Sequence, residues 1–229
     1  MKRSEINKAI KDMEKFLEKM NVHLPDFAYW STGDWEDKNN EYDIIRDNKL
    51  GWDITDVGLD NFENIGFSLF TCRNGNINKS SSKKYAEKYI MIKQNQEFPF
   101  HFHWQKTEDI INRGGGTLLI TVYNDDNGNF SKDDVLVESD GREYYVKAGE
   151  SVELNPGQSI TLKPHQYHKF SVKENTGDVL VGEVSEVNDD DNDNRFYEQV
   201  GRFPEIIEDE KPYKLLCNEY PKYNGQENK

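Results

Sequence analysis

Apolar residues Ile6, Ile10, Met13, Leu17 and Met20 recur at helical spacing over residues 4–20, which predicts an amphipathic helix with one buried face. Ser4 stands at the N-cap position and Pro25 stops any continuation. Ser31-Thr32-Gly33-Asp34 offers a second helix start, with Trp35, Tyr42, Ile44 and Ile45 as its apolar positions up to about Asp47. Leu50 to Thr55 reads as a short linker. From residue 66 the period changes to two. Strands are expected over residues 66–71, 88–92, 98–104, 117–123, 135–137, 142–146, 151–154, 159–162, 168–172 and 179–184. Asn74-Gly75, Gly114-Gly115-Gly116 and Asn124 to Gly128 punctuate them. Many short strands with Gly, Asn and Pro turns between them predict a mainly β sandwich or barrel. The expected organisation is one structural domain overall, with residues 1–62 as an N-terminal helical extension packed on a barrel formed by residues 63–229.

Composition adds two constraints. Only 34% of the 229 residues are hydrophobic but 12% are aromatic, so rings must supply much of the core. Lys and Arg total 29 against 43 Asp and Glu, a formal charge of -14. That balance repels phosphate backbones and anionic lipid, which argues against nucleic acid and membrane partners, while a neutral small molecule such as a sugar is not penalised. No apolar stretch approaches the roughly 20 residues of a membrane span. Met1 to Glu5 leads into an amphipathic pattern instead of an apolar signal core. Two cysteines, Cys72 and Cys217, form no framework, and a reducing cytoplasmic setting is expected.

The candidate chemistry lies in the histidines. There are five: His23, His101, His103, His165 and His168. His101 and His103 stand two apart on an expected strand, so both imidazoles project from one face. Two neutral imidazoles side by side can share a metal ion. Glu108, beyond the turn-like Gln105-Lys106-Thr107, can add a carboxylate from the next strand, and a later histidine can close the site. His165 and His168 compete for that place. His165 follows Pro164 in a turn, whereas His168 begins a strand with Phe170 on its face, which favours His168. Three imidazoles and one carboxylate suit Mn, Fe, Ni, Co or Zn. His23, beside Leu24-Pro25, reads as a cap or packing residue. Asp189-x-Asp191-x-Asp193 opens like a calcium loop but lacks the glycine and the closing glutamate, so it is set aside. The three glycines at 114–116 have no Lys-Ser/Thr after them and read as a chain bend, not a phosphate cradle.

The run His101-Phe102-His103-Trp104-Gln105-Lys106-Thr107-Glu108, closed by Gly114, resembles the first element of the cupin signature. Gly149 and Pro164-His165-Gln166-Tyr167-His168 resemble the second, with His165 where a glycine is common. Tyr85-Ala86-Glu87-Lys88, the glycine-ended run from Glu108 to Gly116, Asp193-Asn194-Arg195-Phe196 and Leu24 to Trp30 are similar to the D-lyxose isomerase family over about residues 1–215. That resemblance implies a cupin-type double-sheet (jelly-roll) barrel, a homodimer and a divalent metal, usually Mn2+. It also implies aldose–ketose interconversion, chiefly D-lyxose with D-xylulose and secondly D-mannose with D-fructose. In this reading His101, His103, Glu108 and His168 hold the metal. Lys106, in the turn between two ligands, and Glu183, on the last barrel strand, are candidate proton carriers; Glu186, just after it, is a weaker one. Lys88, on the preceding strand, and Arg195, able to reach across the barrel mouth, are candidates for binding the sugar; the alternative for Lys106 and Glu183 is a solvated surface charge, and for Arg195 a surface arginine beside the acidic loop. Trp104 is expected to point away from the histidines and to pack. Two other readings use the same residues: a non-haem dioxygenase of the cupin class, and a sugar-binding cupin with no catalysis.

Overall fold

A computed structural model describes residues 1–189, 192–201 and 203–223. Helix α1 (Arg3–Lys19) carries the expected buried stripe of Ile6, Ile10, Met13 and Leu17. It begins one residue before Ser4. Ser4 is therefore not the N-cap; its backbone N–H and hydroxyl both donate to Asp209, at 2.9 and 2.7 Å. The expected helix over 31–47 is three short pieces instead: 3-10 turns at Gly33–Asp37 and Asn40–Tyr42, then α2 (Asp43–Asp47). Ring packing overrides helical spacing there. Trp30 meets Trp35 and Tyr42 edge-on, and Trp35 stacks on Tyr220 at 4.0 Å, while Ile44 is left exposed.

Strands follow: β1 (Gly51–Thr55), β2 (Phe67–Arg73), β3 (Tyr85–Ile92), β4 (Glu97–His103), β5 (Glu108–Gly115), β6 (Leu118–Asp126), β7 (Asn129–Phe130), β8 (Val135–Ser139), β9 (Arg142–Val146), β10 (Ser151–Leu154), β11 (Ser159–Leu162), β12 (Gln166–Val172), β13 (Val179–Glu186) and β14 (Asn194–Phe196). They form a mostly β, double-sheet, cupin-like barrel. One sheet has eight strands in the order β1-β2-β3-β13-β5-β11-β8-β9; the other runs β10-β6-β12-β4-β14, with β7 paired to β6. β1 occupies the expected linker and pairs antiparallel with β2, from Gly51 opposite Thr71 to Thr55 opposite Phe67. The bend at 114–116 is as expected: Gly115 has φ +95°, and a Cβ there would strike the Asp178 carbonyl. Among the described residues no helix is long and apolar enough to cross a membrane.

Two cores result, because the eight-stranded sheet is covered on both faces. Phe67, Leu69, Ile90, Ile92, Ile110, Val179 and Val181 point between the sheets. The alternate residues Phe70, Met91 and Leu180 pack with Trp52 and Ile54 against α1. A doubly covered strand loses its alternating signature and reads as a continuous apolar run.

The C-terminal segment is tied back to α1 by a buried cation. Arg3, 1% exposed, donates to Glu208 at 2.9 and 2.6 Å and also pairs with Glu219. Arg3→Met keeps apolar bulk but leaves Glu219 without its charge partner, so thermal denaturation should show a loss of about 2–3 kcal/mol. A change under about 0.5 kcal/mol would mean that the tail is held by other contacts.

Candidate active site

Inward-facing positions along the barrel strands are apolar at one end and polar at the other. On β13, Val179 and Val181 give way to Glu183; on β3, Ile92 and Ile90 give way to Lys88, directly opposite Glu183. β4 and β12 lie antiparallel in the facing sheet and present His101, His103 and His168 at the same end, with His168 opposite His101. Glu108, the first residue of β5, faces them from the eight-stranded sheet.

The three imidazoles are buried, and one ring nitrogen from each lies within 4.8 Å of the others. His101 Nδ1 sits 2.9 Å from the Pro99 carbonyl, and His168 Nδ1 2.9 Å from the Gln166 carbonyl. A carbonyl only accepts, so both Nδ1 atoms carry the proton, and Nε2 of each ring is turned towards that of the other at 3.0 Å. Such a pair is repulsive unless a cation lies between. Two ligands about 2.1 Å from one ion, at right angles, are about 3.0 Å apart. Glu108 Oε1 is 3.3 Å from Nε2 of both His103 and His168. Neither ring nitrogen of His103 makes a well-aligned hydrogen bond among the described residues. The donor set therefore fits a divalent metal. Burial, reinforced by the neighbouring imidazoles and Lys106, pushes His101 well below the usual histidine range and lowers His103 as well, which keeps both neutral as ligands must be. Burial pushes Glu108 the other way, but Lys106 and His103 prevail and hold its carboxyl well below the usual carboxylate range.

Beside this set lies a buried cluster of two lysines and one carboxylate. Lys106 Nζ is 2.8 Å from Glu108 Oε2 and 3.1 Å from Glu183 Oε1. Lys88 Nζ is 3.1 Å from the same Glu183 oxygen. Burial raises Glu183, yet Lys106 and Lys88 outweigh it and keep the carboxyl ionised. Lys88, Lys106 and Glu183 thus share one pocket with His101, His103 and Glu108. They are not solvated charges.

Arg195 is not brought there. β14 pairs with β4, and Phe196 points inward, its ring stacked on His101 at 5.4 Å. Arg195, the alternate residue, falls on the outer face and donates to the Tyr167 hydroxyl at 3.1 Å. His165 also lies outside, against Phe102 and Trp104. Its φ of +61° explains why a glycine suits that position. Trp104 does leave the histidine face as expected, but its ring remains 42% exposed. Glu186 caps the Lys106 turn by accepting from Thr107 N–H at 2.9 Å.

Three further residues brace the site, of which Asp193 lies in a run that carries the family resemblance and Asn74 in an expected turn. The Asn188 side-chain oxygen accepts from Lys88 at 2.8 Å and from Lys106 at 3.3 Å. Asn74 holds Asn188 through both backbone groups, each at 3.0 Å. Asp193, from the loop set aside as a calcium site, accepts from the N–H groups of Gln105 and Lys106 at 2.9 and 3.1 Å and so fixes the turn that aims Lys106. Asp191 of that loop lies outside the described residues.

A family model described as D-lyxose isomerase matches residues 1–220. A Serratia proteamaculans protein named D-lyxose/D-mannose isomerase is 45% identical over 226 residues, 97% of this chain and 99% of that one. An Escherichia coli O157:H7 protein of the same name is 44% identical over 226 residues, 97% of this chain and 100% of that one. An X-ray structure of Cellulomonas parahominis L-ribose isomerase with L-ribose is similar at a TM-score of 0.60 and 13% identity, covering 90% of this chain and 98% of that one, which extends the shared fold.

Proposed function

The chain belongs to the D-lyxose isomerase family and is a sugar isomerase, and from that premise we propose that it interconverts D-lyxose and D-xylulose, with D-mannose and D-fructose as a second pair. One observation carries the reading. Side chains able to hold a metal, an ionised buried carboxylate and a hydrogen-bonded lysine meet in one pocket.

His101, His103, Glu108 and His168 would hold the ion, Mn2+ in this proposal. It would polarise the sugar carbonyl. Glu183 takes the C2 proton of the open-chain aldose while Lys106 gives a proton to O1, leaving a cis-enediol. Lys106 then takes the O2 proton and Glu183 returns its own to C1, which yields the ketose. Both groups end as they began. Glu183 suits the first task because its two lysine neighbours keep it ionised. Lys106 suits the second because it donates to Glu183 and Glu108 from one position. Lys88 orients Glu183 from the opposing strand and is placed to meet a sugar hydroxyl. Arg195, on the outer face, has no direct part. A homodimer in the cytoplasm completes the proposal; the mass of the purified protein in solution checks the first.

The test is protein reloaded with Mn2+ and incubated with D-lyxose and with D-mannose in D2O. Ketose should form, with deuterium entering at C1 or C2. No ketose from either sugar, or oxygen uptake in its place, would overturn the assignment.

A further inference from the structure

Val57 is fully buried and lines the pocket that holds the histidines, Lys106 and Glu183. Its φ is +53°, in the left-handed region. The other described non-glycine residues with positive φ are Asn21, Lys49, Asp60, Asn127, Asp140, His165 and Asn175, mostly types that tolerate it. A β-branched side chain tolerates it worst, and a glycine would remove the strain outright. The strain is held in place from several directions. Val57 N–H donates to the Thr55 hydroxyl at 2.9 Å, and its carbonyl accepts from Gly201 N–H at 2.8 Å. The Asp56 carboxylate accepts from Gly58 N–H and Asn61 N–H at 3.0 and 3.1 Å. Strain so over-determined, on a pocket wall, points to a use for the side chain.

The pocket has two kinds of wall. The acid–base groups and ligands form one. Val57, Phe67, Leu69, Phe98 and Phe196 form the other. Phe67 and Phe98 are stacked at 4.1 Å, so that wall cannot recede. Carbons of a sugar that do not react must lie against it. D-Lyxose and D-mannose differ there by a single hydroxymethyl group, about the size of the two methyls of a valine.

We propose that Val57 is a specificity-determining residue, whose side chain, set inward by a left-handed backbone, limits the length of sugar that the pocket accepts. The proposal rests on the isomerase reading above. Its test is kcat/KM for D-lyxose and D-mannose in wild type, Val57→Ala and Val57→Gly, each with folding checked by circular dichroism. One methylene in an apolar pocket is worth roughly 10–200-fold in discrimination. The mannose-to-lyxose ratio should therefore rise at least about 10-fold in Val57→Ala and further in Val57→Gly. The isosteric Val57→Thr guards against a fold defect and should keep the wild-type ratio. A valine that only fills space would lower both sugars together, and a ratio unchanged within about 2-fold in Val57→Ala overturns the proposal while leaving the isomerase reading intact. A wild-type enzyme that converts neither sugar overturns both.

Discussion

Glu183→Gln should lower kcat by about 10²–10⁴, the range that a positioned proton carrier supplies, with little change in KM and with metal content as in wild type. The substitution is isosteric and leaves His101, His103, Glu108 and His168 untouched. Its amide oxygen, in the place of the Glu183 oxygen that Lys88 and Lys106 both reach at 3.1 Å, can still accept from both, so what is lost is the basic carboxylate. The metal content is the discriminating readout. Lys106→Met should also cut kcat, but Lys106 Nζ is 2.8 Å from Glu108 Oε2, so removing that cation frees a ligand carboxylate and shifts metal affinity as well. A Glu183→Gln enzyme that keeps more than about a tenth of kcat would remove Glu183 from the chemistry.

Periodic signals made much of this site legible. His101 and His103 share a face because a strand repeats every two residues, and His168 falls opposite His101 because β12 and β4 pair antiparallel. The helical stripe of α1 was equally plain. What escaped has no period. β1 looked like a linker because it is five residues long and buried on both sides, so nothing alternates. The three-residue β14 was too short to establish parity, and without its register Arg195 and Phe196 could not be told apart: the one expected at the mouth lies outside, and its neighbour lies in the pocket. Asn74, Asn188 and Asp193 act through pairs of hydrogen bonds to segments far apart in sequence, and such bonds leave no pattern in a chain rich in Asn and Asp.

Removing the metal should abolish activity to within about 1% of the loaded enzyme, and Mn2+ should restore it. The reason is local. Without a cation, Nε2 of His101 and of His168 stand 3.0 Å apart and Glu108 Oε1 lies 3.3 Å from Nε2 of both His103 and His168, a convergence of ligand atoms that one ion satisfies together. The stability of the metal-free protein should also fall on acidification. Folded His101 and His103 are held below the ordinary value of about 6.5, so below that pH the unfolded chain binds protons that the folded chain does not. Stability is then lost progressively from pH about 6.5 towards the depressed values of the folded state, and a bound ion offsets the loss by favouring the neutral rings. His103→Ala should weaken metal binding by more than the roughly 10–100-fold seen when an outer partner of a ligand is lost, because it deletes a ligand itself. Calorimetric titration with Mn2+ reads that change. Protein verified as metal-free that still isomerises at the loaded rate would leave the four converging side chains without their assigned task.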